Sequence, residues 1–351
     1  MNEKIDLKLY SVADLKDYFF HNKPVELLSD KIISRTRAWS IINNPFSTDD
    51  LYVVSALFVN DEIAAYTHLF PDEQDGQRIY WNTTLYCAPK YEGRGYAAIV
   101  IGQFCELYGD HYFDLNAAAA SVANLKFCGL NVEFVPQYIL SGKAISGKGL
   151  KAICAKLLEK ITYICTNQKK RLLQDIANAT FTLKYTTYLD DKVYEFVREH
   201  STNNVFLRPK EIFNWILTYS LMQESPLIKR VVKDSEFTST RAAFRMYGVE
   251  VHDNEQLVGF YILNVSEKSV DVSYIYYDSE QEKKVFLSIA EHILKFNKPR
   301  VITTDERLLQ FLQTYKIYTR ISQYNKSFSY PQGFMYDSSK MMQSGDGDNI
   351  T

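Results

Sequence analysis

The segment Leu85 to Ala98, LYCAPKYEGRGYAA, joins a strand-like run to a helix-like run through a loop with glycines at 93 and 95. Such a junction is suited to holding an anion. The first turn of a helix leaves its N–H groups without intrahelical acceptors, and glycine lets backbone approach a ligand with no Cβ in the way. Gly93, Arg94, Gly95, Tyr96 and Ala97 would turn those amides toward a diphosphate, and Arg94 adds a cation. Around the loop lie groups able to move protons: His68 on the preceding strand pair, Thr84, Tyr86 and Cys87 on the strand that feeds the loop, Asp114 on the next strand, and Cys128 beyond it. A single strand cysteine commonly packs as a small hydrophobe, and a single strand histidine is commonly a satisfied structural residue. The six histidines form no HxH or HExxH cluster, so no metal site is expected.

Strand, Pro89, then E-G-R-G-Y-A resembles the acetyl-CoA pyrophosphate loop of the GNAT superfamily N-acetyltransferases, Gln/Arg-x-x-Gly-x-Gly/Ala. Gly95 and Ala97 match its fourth and sixth positions, and Glu92 stands where Gln or Arg is usual. Downstream, Ser121-Val-Ala-Asn124-Leu-Lys-Phe127-Cys128 resembles the family's Asn-x-x-Ser/Ala helix, with Ser121 for the usual Asn and Cys128 where many members carry a tyrosine acting as general acid. The resemblance covers about Leu51 to Phe134. It implies acetyl-CoA as co-substrate, contacted by Leu85, Cys87, Gly93 to Ala97, Ser121 and Asn124. It also implies an acetyl group moved directly to a primary amine of a small or sugar-linked acceptor. In the family a backbone N–H on the long strand polarises the thioester; here it falls within Leu85 to Cys87, with the Cys87 amide favoured. His68 and Cys128 are the candidate base and acid, with Asp114, Tyr86 and Thr84 as alternatives for the base.

Two further readings keep the fold: a non-catalytic acyl-CoA-binding or scaffold protein, and an aminoacyl or peptidyl transferase, since tandem copies of this fold occur in such enzymes. A third rests on Gly142-Lys-Ala-Ile-Ser-Gly147-Lys148-Gly149, near to a P-loop but with glycine in place of the magnesium-binding hydroxyl.

The elements that must position these groups alternate. Leu51–Phe58 and Ile63–Phe70 read as a hairpin, Arg78–Cys87 as a long strand, Ala97–Leu107 as a helix, Tyr112–Ala117 as a strand and Val122–Leu130 as a short helix. The second half repeats this order. NEQLVGFYIL, starting at Asn254, stands where NDEIAAYTHL, starting at Asn60, stood; Val270–Tyr277, Glu282–Lys295 and Arg300–Thr304 follow as strand, helix and strand. Ser34–Ile42 and Arg208–Leu217 also correspond, each with a tryptophan expected to be buried, Trp39 and Trp215. The fold expected is mixed α/β: two tandem GNAT-like acyl-CoA N-acyltransferase domains at 1–168 and 169–337, with a flexible tail at 338–351. The second copy's loop, Tyr277 to Glu282, has no glycine and three carboxylates, so it would repel a diphosphate. Leu150 to Cys165 reads as an amphipathic helix between the halves.

Composition fits this picture. The 351 residues are 46% hydrophobic and 23% charged, too long a chain for one core of at most about 250–300 residues. A net charge of −2 supplies no field for nucleic acid or an anionic bilayer, so neither is an expected partner. The start, MNEKIDLKLY, has no secretory pattern, and the odd count of five cysteines suits reduced thiols; the cytoplasm is the expected compartment. The acceptor is expected in the cleft between the copies, and a homodimer is compatible with the aromatic content.

Overall fold

The computed structural model describes residues 3–141, 168–219, 244–318 and 320–347. The near-P-loop and the Leu150 to Cys165 helix lie outside the described residues. The first half runs β1 (Ile5–Ser11), α1 (Val12–Phe19), α2 (Arg35–Ile42), β2 (Tyr52–Val59), β3 (Glu62–Gln74), β4 (Gln77–Cys87), α3 (Tyr96–Tyr108), β5 (Tyr112–Leu115), α4 (Ala119–Phe127) and β6 (Asn131–Ser141). After a helix at 168–178 (α5), the second half runs β7 (Thr182–Thr186), α6 (Asp191–Glu199), α7 (Lys210–Tyr219), β8 (Phe244–Asp253), β9 (Gln256–Ser266), β10 (Ser269–Tyr277), α8 (Glu282–Phe296), β11 (Arg300–Thr303), α9 (Glu306–Thr314) and β12 (Arg320–Tyr330).

Local chemistry explains much of this repetition. Both hairpins turn on two residues of positive φ, Asn60 and Asp61 (52° and 63°) and Asn254 and Glu255 (47° and 71°). That is the type I′ geometry whose twist matches the flanking strands. Ser11 and Asp14 form a capping box at α1, and Ser34, Asp190 and Asp305 cap α2, α6 and α9 through their side chains.

The halves do not form separate sheets at 168/169. One twelve-stranded sheet runs β1-β2-β3-β4-β5-β12-β6-β11-β10-β9-β8-β7. Each half's last strand lies against the other half's fifth: β12 pairs with β5 through Phe328–Leu115, and β6 pairs with β11 through Ser141–Arg300. Between them β6 and β12 pair antiparallel from Asn131–Tyr330 to Ser141–Arg320. Helix α3 packs on β2 to β5, and α8 on β8 to β10.

Two sequence expectations change here. Within the segment expected to fray, residues 342–347 are core: Gln343, Ser344 and Asp346 are at most 1% exposed. Counting its apolar groups predicts disorder, but its polar groups find buried partners. Gly345 N–H donates to the Ser273 carbonyl (2.7 Å), Gln343 bonds both the amide and the carbonyl of Ile275 (3.3 and 3.0 Å), and Gln137 donates to Ser344 Oγ (2.9 Å). Trp39 is not the buried counterpart of Trp215. It is 46% exposed against 6%, and Trp215 donates its indole N–H to the Ser40 carbonyl (2.9 Å), joining α7 to α2.

Candidate functional site

The loop after β4 opens with a single tight turn, Pro89–Tyr91, and reaches α3 at Gly95. Gly93 and Gly95 have φ of +77° and +80°, a region where L side chains are strained, and a Cβ at either position would meet nothing within 4 Å among the described residues. The loop is therefore glycine-shaped and open. Tyr91 and Tyr96 pack beneath it against Leu57, Ala65 and Val100. Among the described residues no side chain caps α3. The Ile99 amide is bonded to the Gly95 carbonyl (3.2 Å), so helix geometry leaves the Tyr96, Ala97 and Ala98 amides without intrahelical acceptors. Arg94 is engaged elsewhere: its guanidinium pairs with Glu3 (3.0 Å) and lies over the Tyr91 ring.

Strand β4 feeds this loop past a split in the sheet. Its parallel pairing with β5 lasts three rungs, Tyr80–Tyr112 to Asn82–Asp114. The register with β3 slips at the same place, His68 facing Thr84 while Leu69 faces Asn82, so Thr83 is a bulge. Beyond it the Ala88 amide bonds Ala64 on β3 (2.8 Å). Strand alternation then turns the Leu85 and Cys87 amides away from β3, toward the side that β5 has left. Both amides that the resemblance nominated thus face the split.

The remaining candidates divide. Asp114 stands at the last β4–β5 rung, 4% exposed, and accepts from Asn82 Nδ2 (2.6 Å). Burial raises its carboxyl to about 6 despite that bond. His68 is corrected to a core residue: it is 1% exposed, its Nε2 bonds the Ile32 carbonyl (2.9 Å), and burial, helped by the Arg37 cation, holds its imidazole well below the usual range. The Cys87 thiol is pushed up by burial and the Glu92 charge, which disfavours a nucleophile. Ser121 and Asn124 are partly buried on α4. Cys128 ends α4 with its Sγ donating to the Ala98 carbonyl (3.6 Å), so it sits between α4 and α3.

Sequence reasoning missed Arg37, which reaches from α2 to donate to Thr83 Oγ1 (2.9 Å) at the bulge. The polar run Asn82-Thr83-Thr84 inside an otherwise apolar strand was the available signal. It also missed the buried cluster of Arg208, Asp72 and Asp346, all at most 1% exposed, which ties β3 to the tail. A polar cavity of about 370 Å³ spans the junction of the halves, lined by Asn116, Gln137, Asn264, Asp271 and Lys326 among others.

The second half has the matching split, with its bulge at Ser273 and a three-rung β10–β11 pairing. There the chain fills the gap itself, since the Ser273, Tyr274 and Ile275 partners are Gln343 and Gly345 of the tail. Its loop is also self-satisfied: Asp278 accepts from the Glu280 amide (2.9 Å), and Glu282 pairs with Arg307 (2.9 Å).

A doubled sheet with a splayed fourth strand, a bulge and a glycine loop opening a helix is the tandem GNAT fold, and solved structures agree. The chain is similar to the tandem GNAT protein from the clavulanic acid biosynthesis pathway (TM-score 0.51, 11% identity, 95% of this chain and 100% of that one). It is also similar to a Pyrococcus horikoshii protein assigned as an acetyltransferase (0.50, 10%, 96% and 92%) and to a conserved protein of unknown function from Enterococcus faecalis V583 (0.50, 11%, 93% and 72%). No family model matches the sequence, and no curated protein does. The mixed α/β class and the GNAT architecture are therefore those of this chain.

Proposed function

We propose that the chain is an N-acyltransferase that moves an acetyl group from acetyl-CoA to a primary amine of a small or sugar-linked acceptor. The observation that carries this reading is the asymmetry of the two splits: the first is entered by an open glycine loop with free helix amides, and the second is occupied by the chain's own tail. The amides of Gly93, Gly95, Tyr96 and Ala97 bind the diphosphate, while the Arg94 amide is held by the Tyr91 carbonyl (3.4 Å), and the thioester lies along β4 with its carbonyl oxygen toward the Leu85 and Cys87 amides. Such donors stabilise the oxyanion as the amine attacks. The ammonium proton leaves to Asp114, directly or through water, and the bond from carbonyl carbon to sulfur breaks to release CoA. Asn116, two residues beyond Asp114, lines the junction cavity, which supports that cavity as the acceptor site.

Calorimetry with CoA tests the donor half, and thiol release from acetyl-CoA with a panel of amines tests turnover. Saturable one-to-one binding and amine-dependent release are expected. No heat at millimolar CoA removes the assignment. Binding without release with any amine supports the second reading, a non-catalytic acyl-CoA-binding protein, which the engagement of the Cys128 thiol by the Ala98 carbonyl favours.

A further inference from the structure

Asn82 stands opposite Asp114 on the last β4–β5 rung. Thr67, on β3, lies two residues before Leu69, the β3 partner of Asn82, and so shares its face of the sheet. All three side chains are buried. Asn82 Nδ2 donates to Asp114 Oδ2 (2.6 Å), which turns Asn82 Oδ1 back into the sheet, where the Thr67 hydroxyl donates to it. The same hydroxyl also reaches a second acceptor, the Thr84 carbonyl just past the bulge. A hydroxyl has one proton to give and two lone pairs, so it can donate to either oxygen and still accept. Two complete arrangements follow. In the first, Thr67 donates to Asn82 Oδ1 and Asn82 Nδ2 donates to the Asp114 carboxylate. In the second, Thr67 donates to the Thr84 carbonyl and the Asn82 amide is turned over. Its Nδ2 then donates to Thr67 Oγ1, and its Oδ1 faces Asp114. An amide oxygen there repels a carboxylate but accepts from a carboxylic acid protonated on Oδ2. That oxygen is the better place for a proton. Asp114 Oδ1 is buried with no hydrogen-bond partner among the described residues, and the backbone group acting on the carboxyl, the Ala117 amide, is itself a donor.

We propose that Asn82 is a positioning residue for Asp114 whose amide turns over as Asp114 takes up the ammonium proton, with the Thr67 hydroxyl as the pivot that satisfies it either way round. The proposal deepens the acyl-transfer reading and rests on Asp114 as its base. In the step, an N–H bond of the ammonium breaks and an O–H bond forms at Asp114. A cation and an anion become a neutral amine and a neutral acid. The protons of Asn82 and Thr67 change hydrogen-bond partner without leaving their atoms, so nothing else is gained or lost. The base is thereby hydrogen-bonded in both of its forms, and proton uptake strands no buried polar atom beside the split. Other groups leave this exchange undisturbed. Among the described residues, burial raises the Asp114 carboxyl, while Asn82 and the Ala117 amide oppose that rise. Tyr112, two residues back on β5, stays neutral because burial pushes its phenol far above the usual range. Cys105 of α3 and Cys128 at the end of α4 act on Tyr112 rather than on Asp114.

The test follows the Asn82 side-chain amide by NMR in the full, substrate-free chain, assigned through backbone-to-side-chain correlations. Above about pH 6, where Asp114 is ionised, Overhauser contacts from the amide protons to the Asp114 side chain are expected. Below it they are expected to move to Thr67. Thr67→Ser keeps the hydroxyl and is expected to keep the exchange of contacts, whereas Thr67→Val is expected to hold the amide on the Asp114 side at every pH. The pH–rate profile gives a second reading. Asn82→Leu keeps the branched shape but neither donates nor accepts, so its midpoint is expected to rise by about one pH unit or more, with kcat about tenfold or more lower. The wild-type contacts stand by themselves if a variant folds poorly. Amide contacts that stay the same between pH 5 and 7 overturn the proposal, as does a Thr67→Val amide that exchanges like the wild type. A rate independent of pH beside an exchanging amide removes Asp114 as the base and supports the turning amide, so the two failures are told apart.

Discussion

Gly95 has the sharpest single-residue consequence, because its φ of +80° at the cap of α3 strains any residue that carries a side chain, although the space around it is open. Gly95→Asp adds backbone strain of about 1 kcal/mol and a negative charge beside a diphosphate, so CoA affinity measured by calorimetry is expected to fall at least about tenfold. The matched Ser279→Asp in the self-satisfied second loop leaves affinity unchanged; equal losses at both places would falsify the one-site assignment. Asp114→Asn keeps the Asn82 contact but cannot take a proton, so kcat is expected to drop about 100- to 10,000-fold with CoA affinity retained. In the wild type the rate rises as pH passes about 6, where the buried carboxyl ionises; a flat profile between pH 5 and 7 removes Asp114 as the base. Asp346 gives a stability prediction. Burial raises its carboxyl to about 7 although Arg208 opposes this, so the folded state holds its proton more tightly than the unfolded chain. Its contribution is complete below about pH 4 and is lost as pH rises to about 7, by at most about 1.4 kcal/mol per pH unit. Asp346→Asn is expected to flatten that part of the thermal-melt profile. Gly95 was legible in the sequence because loop chemistry is local. Asp346 was not, because a carboxylate in a polar tail looks solvated until Arg208, 138 positions earlier, is seen beside it.

At the level of elements, strands, hairpins and α3 follow from local pattern: β-branched runs, two-residue turns of positive φ, and a glycine cap. The paired bulges at Thr83 and Ser273 are legible only afterwards, as polar interruptions of apolar strands. The tail resists such reading since its stability comes from hydrogen bonds to β10 rather than apolar area. That makes it sensitive to shape. A Cβ on Gly345 would lie 2.4 Å from Tyr274 Cε2, inside a ring that already donates from its hydroxyl to the Gly345 carbonyl (2.5 Å). Gly345→Ala is expected to cost about 1–3 kcal/mol in denaturant unfolding. An unchanged midpoint would show that the tail does not hold the second split closed.

For the whole molecule, the duplication was legible from repeated element order, whereas the exchange of last strands was not. Nothing near Ser141 or Arg320 announces that they pair across almost the length of a half. Each half lacks a strand it needs, so residues 1–168 and 169–351 expressed separately are expected to give no cooperative melt. The intact chain is expected to show one transition by calorimetry; two resolved transitions would contradict the interlocked sheet. The same exchange sets an order of events at the ribosome. The rim of β5 at Asp114 and Leu115 meets its neighbour only after residues 320–330 have been synthesised. At about 5–20 residues per second that is a delay of roughly 10–40 s. Throughout it a growing polypeptide carries an unpaired edge able to join the wrong neighbour, and holding that edge covered is a task for whatever escorts the nascent chain.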